Sequence, residues 1–144
     1  MEKFLSRGKR NITGEWVEGF YVHQGAEISD DRIDNHFILV HDHLGFNWYQ
    51  IDPKTAARYT GLTDKNGKKI FEWDIVRVSW YSTSNVVSEV YVVVYSKSGF
   101  FCRARGRLFG QLSNYVHRNA FAVQCEVIGN VEDNPKLLGQ EWSK

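Results

Sequence analysis

Proline is almost missing from this chain, with Pro53 and Pro135 the only two in 144 residues. Proline removes a backbone donor and fixes φ, so almost no position here is barred from regular strand pairing. Cysteine is equally scarce. Cys102 and Cys125 lie far apart with no CxxC pair, which disfavours a disulfide and makes two reduced, buried small hydrophobes the expectation. An excess of either charge is absent too. Eighteen Lys plus Arg against 17 Asp plus Glu leave a formal charge of +1, so any basic site has to be local. No apolar stretch reaches 18 residues, and no charged start leads into a short apolar run with a small-residue cleavage site. Neither a membrane-spanning helix nor a signal peptide is expected, and the expected location is the cytoplasm. Gly-x-Ser-x-Gly and Gly-x-x-x-x-Gly-Lys-Ser/Thr are also absent, so hydrolase and nucleotide-binding readings have no anchor.

What is present is apolar and aromatic. Hydrophobic residues make up 42% of the chain and aromatics 15%, with 5 Trp, 7 Tyr and 9 Phe, a composition that folds rather than stays disordered. The length fits a single domain, 1–144, or one with two lobes, 1–58 and 59–144. Short β-branched and aromatic runs bounded by turn residues recur, and no long 3.6-period stripe is found. The expected fold class is mainly β: a small, strongly bent sheet or partly open β-barrel with hairpins and one or two short helical turns.

Along the chain, Phe4–Arg10 and Glu15–His23 read as a hairpin closed through Asn11–Gly14. Phe37–Val40 and Phe46–Ile51 read as a second pair with Gly45 at positive φ, and 24–35 as a loop. Asp52-Pro53 breaks the pattern ahead of a helical turn over Lys54–Arg58. Val76, Val78 and Trp80 share one strand parity while Phe71, Trp73 and Ile75 share the other, so a bulge or bend is expected near 73–75. Val86–Tyr95 reads as a strand buried on both faces, paired with Gly99–Arg103 through a turn at Ser96–Gly99. Arg107–Val116 fits strand or short helix, Phe121–Ile128 fits a strand, and Asn134-Pro135 fits an N-cap and first residue of a helix running to about Gln140.

The strongest local signal is Asn66-Gly67, flanked by runs ending at Leu62 and starting at Ile70. Both central residues of a type I′ turn need positive φ, which Asn and Gly tolerate, so Asn66 and Gly67 are expected at a hairpin tip. The stretch Tyr59–Val76 around that turn resembles the signature of the YopX-like proteins of phages and prophages. Arg7-Gly-Lys-Arg10 with Gly14–Val22, then Asp52-Pro-Lys-Thr55, and finally Glu126–Asn130 with Asn134–Leu138 are similar to further blocks of that family. Two residues depart from it. Trp73 stands where such proteins usually carry glycine, and Arg58 where glutamine is common. The resemblance implies a mainly β, phage-associated accessory protein in a bacterial host's cytoplasm, and it carries over no catalytic residues.

Candidate chemistry is sparse. Arg103, Arg105 and Arg107 would project from one face of a persistent strand at about 6.6 Å intervals and track phosphates, with Phe100, Phe101 and Phe109 near enough in sequence to stack bases. Lys65, Lys68 and Lys69 flank the turn and form a second basic spot, joined by Arg7, Lys9 and Arg10. The bland alternative for both is a solvated face. His36, His41 and His43 cluster in sequence without a ligand spacing, and Glu72 and Asp74 share a strand parity without the separation that carboxylate catalysis needs. No catalytic residue, metal or cofactor is expected. The functional expectation is a non-enzymatic β module that binds a phage or host macromolecule or associates with itself, without a membrane partner; the alternative is a small nucleic-acid-binding protein.

Overall fold

The computed structural model describes residues 4–24, 35–116, 123–139, 142 and 144. Strands dominate: β1 Leu5–Lys9, β2 Trp16–His23, β3 His36–Asp42, β4 Gly45–Gln50, β5 Ala57–Thr63, β6 Lys69–Phe71, β7 Asp74–Ser82, β8 Asn85–Ser96, β9 Gly99–Ala104, β10 Arg107–Gln111 and β11 Gln124–Asn130, with one short helix, α1 Ser113–Val116. Three-residue and four-residue 3₁₀ turns lie at Pro53–Thr55 and Pro135–Leu138. Among the described residues all pairing between these strands is antiparallel and no closed barrel forms. None of the described helices is long and apolar enough to cross a membrane. The chain divides into two compact units, 1–59 and 60–144.

In the first unit the strands run in the order β4-β3-β2-β1-β5. The first hairpin closes through Arg10 and Glu15, with Gly14 at φ +71°. Gly8 and Gly19 leave room for their neighbours: a Cβ on Gly8 would lie 2.4 Å from Ile51 Cδ1, and one on Gly19 would lie 2.3 Å from the Leu39 carbonyl oxygen. The Asp52–Thr55 block is a clasp. Asp52 accepts from the Lys54 N–H (3.0 Å), Pro53 opens the 3₁₀ turn, and the buried Thr55 hydroxyl accepts from the Lys9 N–H (2.8 Å), which fixes the turn to β1. The helical turn is shorter than expected from Lys54–Arg58, because β5 begins at Ala57 and claims the rest for pairing.

In the second unit one sheet runs β10-β9-β8-β7-β11, and the end of β5 pairs with β6. The central strands of the sheet are buried on both sides. Val76, Val78, Tyr91, Val93, Cys102, Cys125 and Leu112 form one core, and Ile75, Val92, Val94 and Val131 form another. Each buried aliphatic side chain contributes about 1.5–3 kcal/mol. β8 is two-sided only over Tyr91–Val94; its first four residues are exposed. The Arg107–Val116 ambiguity resolves into both forms, β10 and then α1. Of Phe121–Ile128, residues 121 and 122 lie outside the described residues, as do 25–34 of the expected loop and Gln140.

The Tyr59–Val76 signature holds the second unit together through two aspartates. Asp64 is 8% exposed, and its Oδ1 accepts from the N–H groups of Asn66 and Lys68, both 2.9 Å, while Oδ2 accepts from the N–H of Val127 in β11, also 2.9 Å. The Lys65 N–H adds a bond to the Cys125 carbonyl (2.9 Å). The hairpin is present, but its turn is not type I′. Gly67 alone takes positive φ, +79°, its N–H bonds the Asp64 carbonyl and the Asp64 N–H bonds the Lys68 carbonyl. That is the three-residue loop with a final left-handed residue, selected because the Asp64 side chain captures Asn66 and Lys68 from inside the turn. The second aspartate, Asp74, is 1% exposed and accepts from the Phe71 N–H (2.8 Å).

Between β6 and β7, Trp73 adopts φ +67°. The departure from glycine therefore leaves the left-handed backbone in place. Main-chain bonds hold it on both sides, Trp73 N–H to the Val93 carbonyl (2.8 Å) and Val131 N–H to the Trp73 carbonyl (3.0 Å), while the ring packs on the second core. This left-handed residue interrupts the strand and accounts for the change of apolar parity. It also separates Glu72, in the turn, from Asp74, so the two carboxylates do not share a strand face.

At the C-terminal side, Asn134 does not cap its 3₁₀ turn. Its Oδ1 instead accepts from the Asn130 N–H (3.2 Å), in space that a Cβ on Gly129 would occupy at 2.5 Å. The turn ends at Leu138.

Two stability experiments follow. Asp64→Ala strands buried backbone donors, and denaturant unfolding is expected to show a loss of about 3 kcal/mol. At position 73 the normal helix-and-strand preference reverses: Trp73→Gly should unfold at higher denaturant than Trp73→Ala by about 1 kcal/mol, since only glycine reaches φ +67° freely. Equal midpoints would show that position 73 carries no backbone strain.

Candidate functional site

The open surface of the first unit is built by strand alternation. Registers pair Leu5 with Phe20, Phe20 with Leu39, and Leu39 with Trp48, so one apolar row crosses four strands on one face. Beside it run Val22, Phe37 and Gln50 on one side and His41 with Phe46 on the other. Phe37 meets Trp48 edge-on at 5.9 Å, and His41 leans on Phe46 at 4.6 Å. Phe20, Trp48 and Phe46 are 37%, 50% and 66% exposed. At the end of the same face Trp16 lies under the Arg7 guanidinium at 4.7 Å and the Lys9 amine at 5.6 Å. Arg7 is itself buried there and Lys9 half-buried, so the docking surface is the exposed aromatic row, since Trp and Phe are enriched at interfaces. Sequence reasoning missed it. Its signal lay in the alternation Phe46, Trp48 and Phe37, Leu39, His41, which assigns both strands the same outward parity once they are paired.

The opposite face carries a polar group. His23 and His36 stack at 4.3 Å with 9° between planes, and the Tyr21 hydroxyl meets His36 Nδ1. Burial, then the neighbouring His23, lowers the His36 pKa. The histidines that cluster in sequence are apart in the fold: His36 and His41 have opposite parities in β3, and His43 sits in the turn beyond it. Among the described residues, no group of three or more His, Cys, Asp or Glu side chains is placed to hold a metal.

The arginine stripe is broken. Arg105 and Gly106 take φ +49° and +71°, a two-residue type I′ turn between β9 and β10, so Arg103 and Arg107 stand on different strands and Arg105 on neither. The geometric premise of regular 6.6 Å spacing fails because Gly106 offers the chain a turn where an extended strand was expected. Arg103 lies over the Trp142 ring at 4.2 Å, and burial lowers its pKa. Phe100 and Phe101 are half-buried against the two cores, on opposite faces of β9; Phe109 is exposed beside Tyr91. The residues of the second basic spot have the following places. Lys65 pairs with Glu126 at 3.5 Å, Lys68 gives its N–H to Asp64, and Lys69 lies in β6, whereas Arg7, Lys9 and Arg10 belong to the first unit, Arg10 lying over Tyr49 at 4.7 Å.

Cys102 and Cys125 are free and buried. Burial pushes both thiols up to about 12; Cys125 adds to the effect on Cys102, and the Asp64 carboxylate to that on Cys125. Such thiols are inert nucleophiles. In the unfolded chain they ionise near 9.0, so between pH 9 and 12 the unfolded state binds fewer protons. Their contribution is fully present below pH 9 and is lost as pH rises through that window. Tyr91, raised to about 12 chiefly by burial, acts in the same direction above 10.0. Urea midpoints should fall progressively from pH 9 upward, and a thiol reagent at pH 8 should label the cysteines only after denaturation.

The comparisons agree with this fold. A crystal structure of protein EF1440 from Enterococcus faecalis is similar, with 23% sequence identity over 92% of this chain and 96% of that chain and a TM-score of 0.53. No curated protein matches the chain. The model of the YopX protein family matches residues 7–139, nearly the whole sequence. By that match the chain belongs to the YopX family.

Proposed function

We propose that this YopX-family chain is a non-enzymatic binding module that docks a protein partner on the aromatic face of its first unit. The observation that carries the reading is the cross-strand row Leu5-Phe20-Leu39-Trp48 with Phe46 beside it, because exposed large aromatics on a rigid sheet supply contact area at low entropic cost. The phage association and a cytoplasmic site of action come from the family resemblance and are part of the proposal. Single-stranded nucleic acid is the second reading: Lys9 over the half-buried Trp16 joins a cation to an aromatic ring in the manner of strand-binding surfaces.

The test is recovery of partners from bacterial host extract, with and without nuclease, by the wild type and by a Phe46→Ser/Trp48→Ser variant. The protein reading expects a defined protein whose capture survives nuclease and whose affinity for the variant drops about tenfold or more. Capture abolished by nuclease, together with oligonucleotide binding that weakens steeply with salt, would replace it with the nucleic-acid reading. Replacing Arg103, Arg105 and Arg107 together by Ala is then expected to leave the salt slope nearly unchanged, since these residues no longer form one stripe.

A further inference from the structure

The hairpin of β7 and β8 runs beyond the strands beside it. Among the described residues β11 accompanies β7 from Asp74 to Ser79, and β9 accompanies β8 from Val92 to Ser96. The two strands continue as a ribbon, pairing Trp80 with Val87, Tyr81 with Val86 and Ser82 with Asn85. Residues 81–88 are all exposed. On the β9 side, Asn85–Val90 has no pairing strand among the described residues.

Free edges of this kind are normally guarded by lysine, proline or a bulge. Here lysine and proline are missing, and Glu89 is the one charge on the free edge Asn85–Val90. From Val78 to Ser88 the sequence Val-Ser-Trp-Tyr-Ser-Thr-Ser-Asn-Val-Val-Ser contains no charged residue and no proline. A strand that pairs antiparallel with its own copy about a twofold axis brings each residue against one from the same segment, so charges of one sign would repel; an uncharged segment suits that partner.

We propose that β8 pairs with β8 of a second copy of this chain, antiparallel about an axis at Val87, joining two ribbons into a continuous four-stranded sheet. This register places Val87 against Val87, Val86 against Ser88 and Asn85 against Glu89 of the second copy. Because Trp80 already faces Val87 across the hairpin, one apolar row runs Trp80-Val87-Val87-Trp80 through both chains. Glu89 meets an asparagine amide rather than another carboxylate. Space is available as well: a cleft of about 340 Å³ opens beside Ser88, Glu89 and Val90, walled by Arg105, Leu138 and Trp142. The Thr83-Ser84 turn of the second copy arrives there, where β9 ends and the chain turns at Arg105-Gly106. The pairing is independent of the aromatic face, and Phe46→Ser/Trp48→Ser should leave it unchanged.

Sedimentation velocity over a concentration series tests the proposal, with near-ultraviolet circular dichroism to check the fold. The wild type is expected to associate to a dimer. Val87→Lys, at an exposed position, should weaken the dimer by at least about tenfold, since like charges then face each other across the axis. Val87→Glu should do the same, and an equimolar mixture of the two variants should recover a dimer. A wild type that stays monomeric, a dimer insensitive to either substitution, or a mixture of the folded variants that remains monomeric overturns the proposal.

Discussion

The carboxylate of Asp64 is the constraint on which the second unit depends. It sits buried at the base of a hairpin turn and receives three backbone N–H groups, two from its own loop and one from β11, more than sixty residues away in sequence. Hydrogen bonds to an ionised acceptor are stronger than neutral ones, and buried donors deprived of a partner are costly. One side chain therefore decides both the shape of the turn and where β11 attaches. Gly67 follows from it, because the chain can close around the carboxylate only if that residue turns left-handed. The Lys65 contacts to Cys125 and Glu126 reinforce the same seam.

Several of the blocks through which the sequence resembles its family have structural duties of this kind. Asp52 and Thr55 clasp the 3₁₀ turn to β1; Asp64 and Asp74 organise the central turns; Gly129 makes room for the Asn134 side chain. A motif made of turn carboxylates and glycines specifies backbone geometry.

Strands and hairpins were legible because alternation and turn residues are local signals: β1 with β2, β3 with β4, and β8 with β9 through Ser96–Gly99 all follow from runs of apolar residues and the breaks between them. What was not legible depended on distant partners. Asn66-Gly67 suggests a type I′ turn by itself, and only the side chain of Asp64 changes the choice. Arg103, Arg105 and Arg107 look periodic until Gly106 folds the strand back, a turn that could have been suspected from the Arg-Gly pair. The bend near Trp73 was legible in the switch of apolar parity, but the main-chain bonds to Val93 and Val131 that hold its backbone left-handed were not. The aromatic face required knowing which strands are neighbours, which no periodicity supplies.

β5 has a consequence for anyone who would dissect the chain. The division between the compact units falls at Tyr59, inside that strand, not in a linker. Ala57 and Arg58 are paired with β1, whereas Thr60 reaches the Ile70 carbonyl through its hydroxyl. A cut at residue 59 would leave each fragment with half of β5 and unmatched backbone groups. Fragments meant to fold separately would each have to carry residues 57–63, the same seven positions twice.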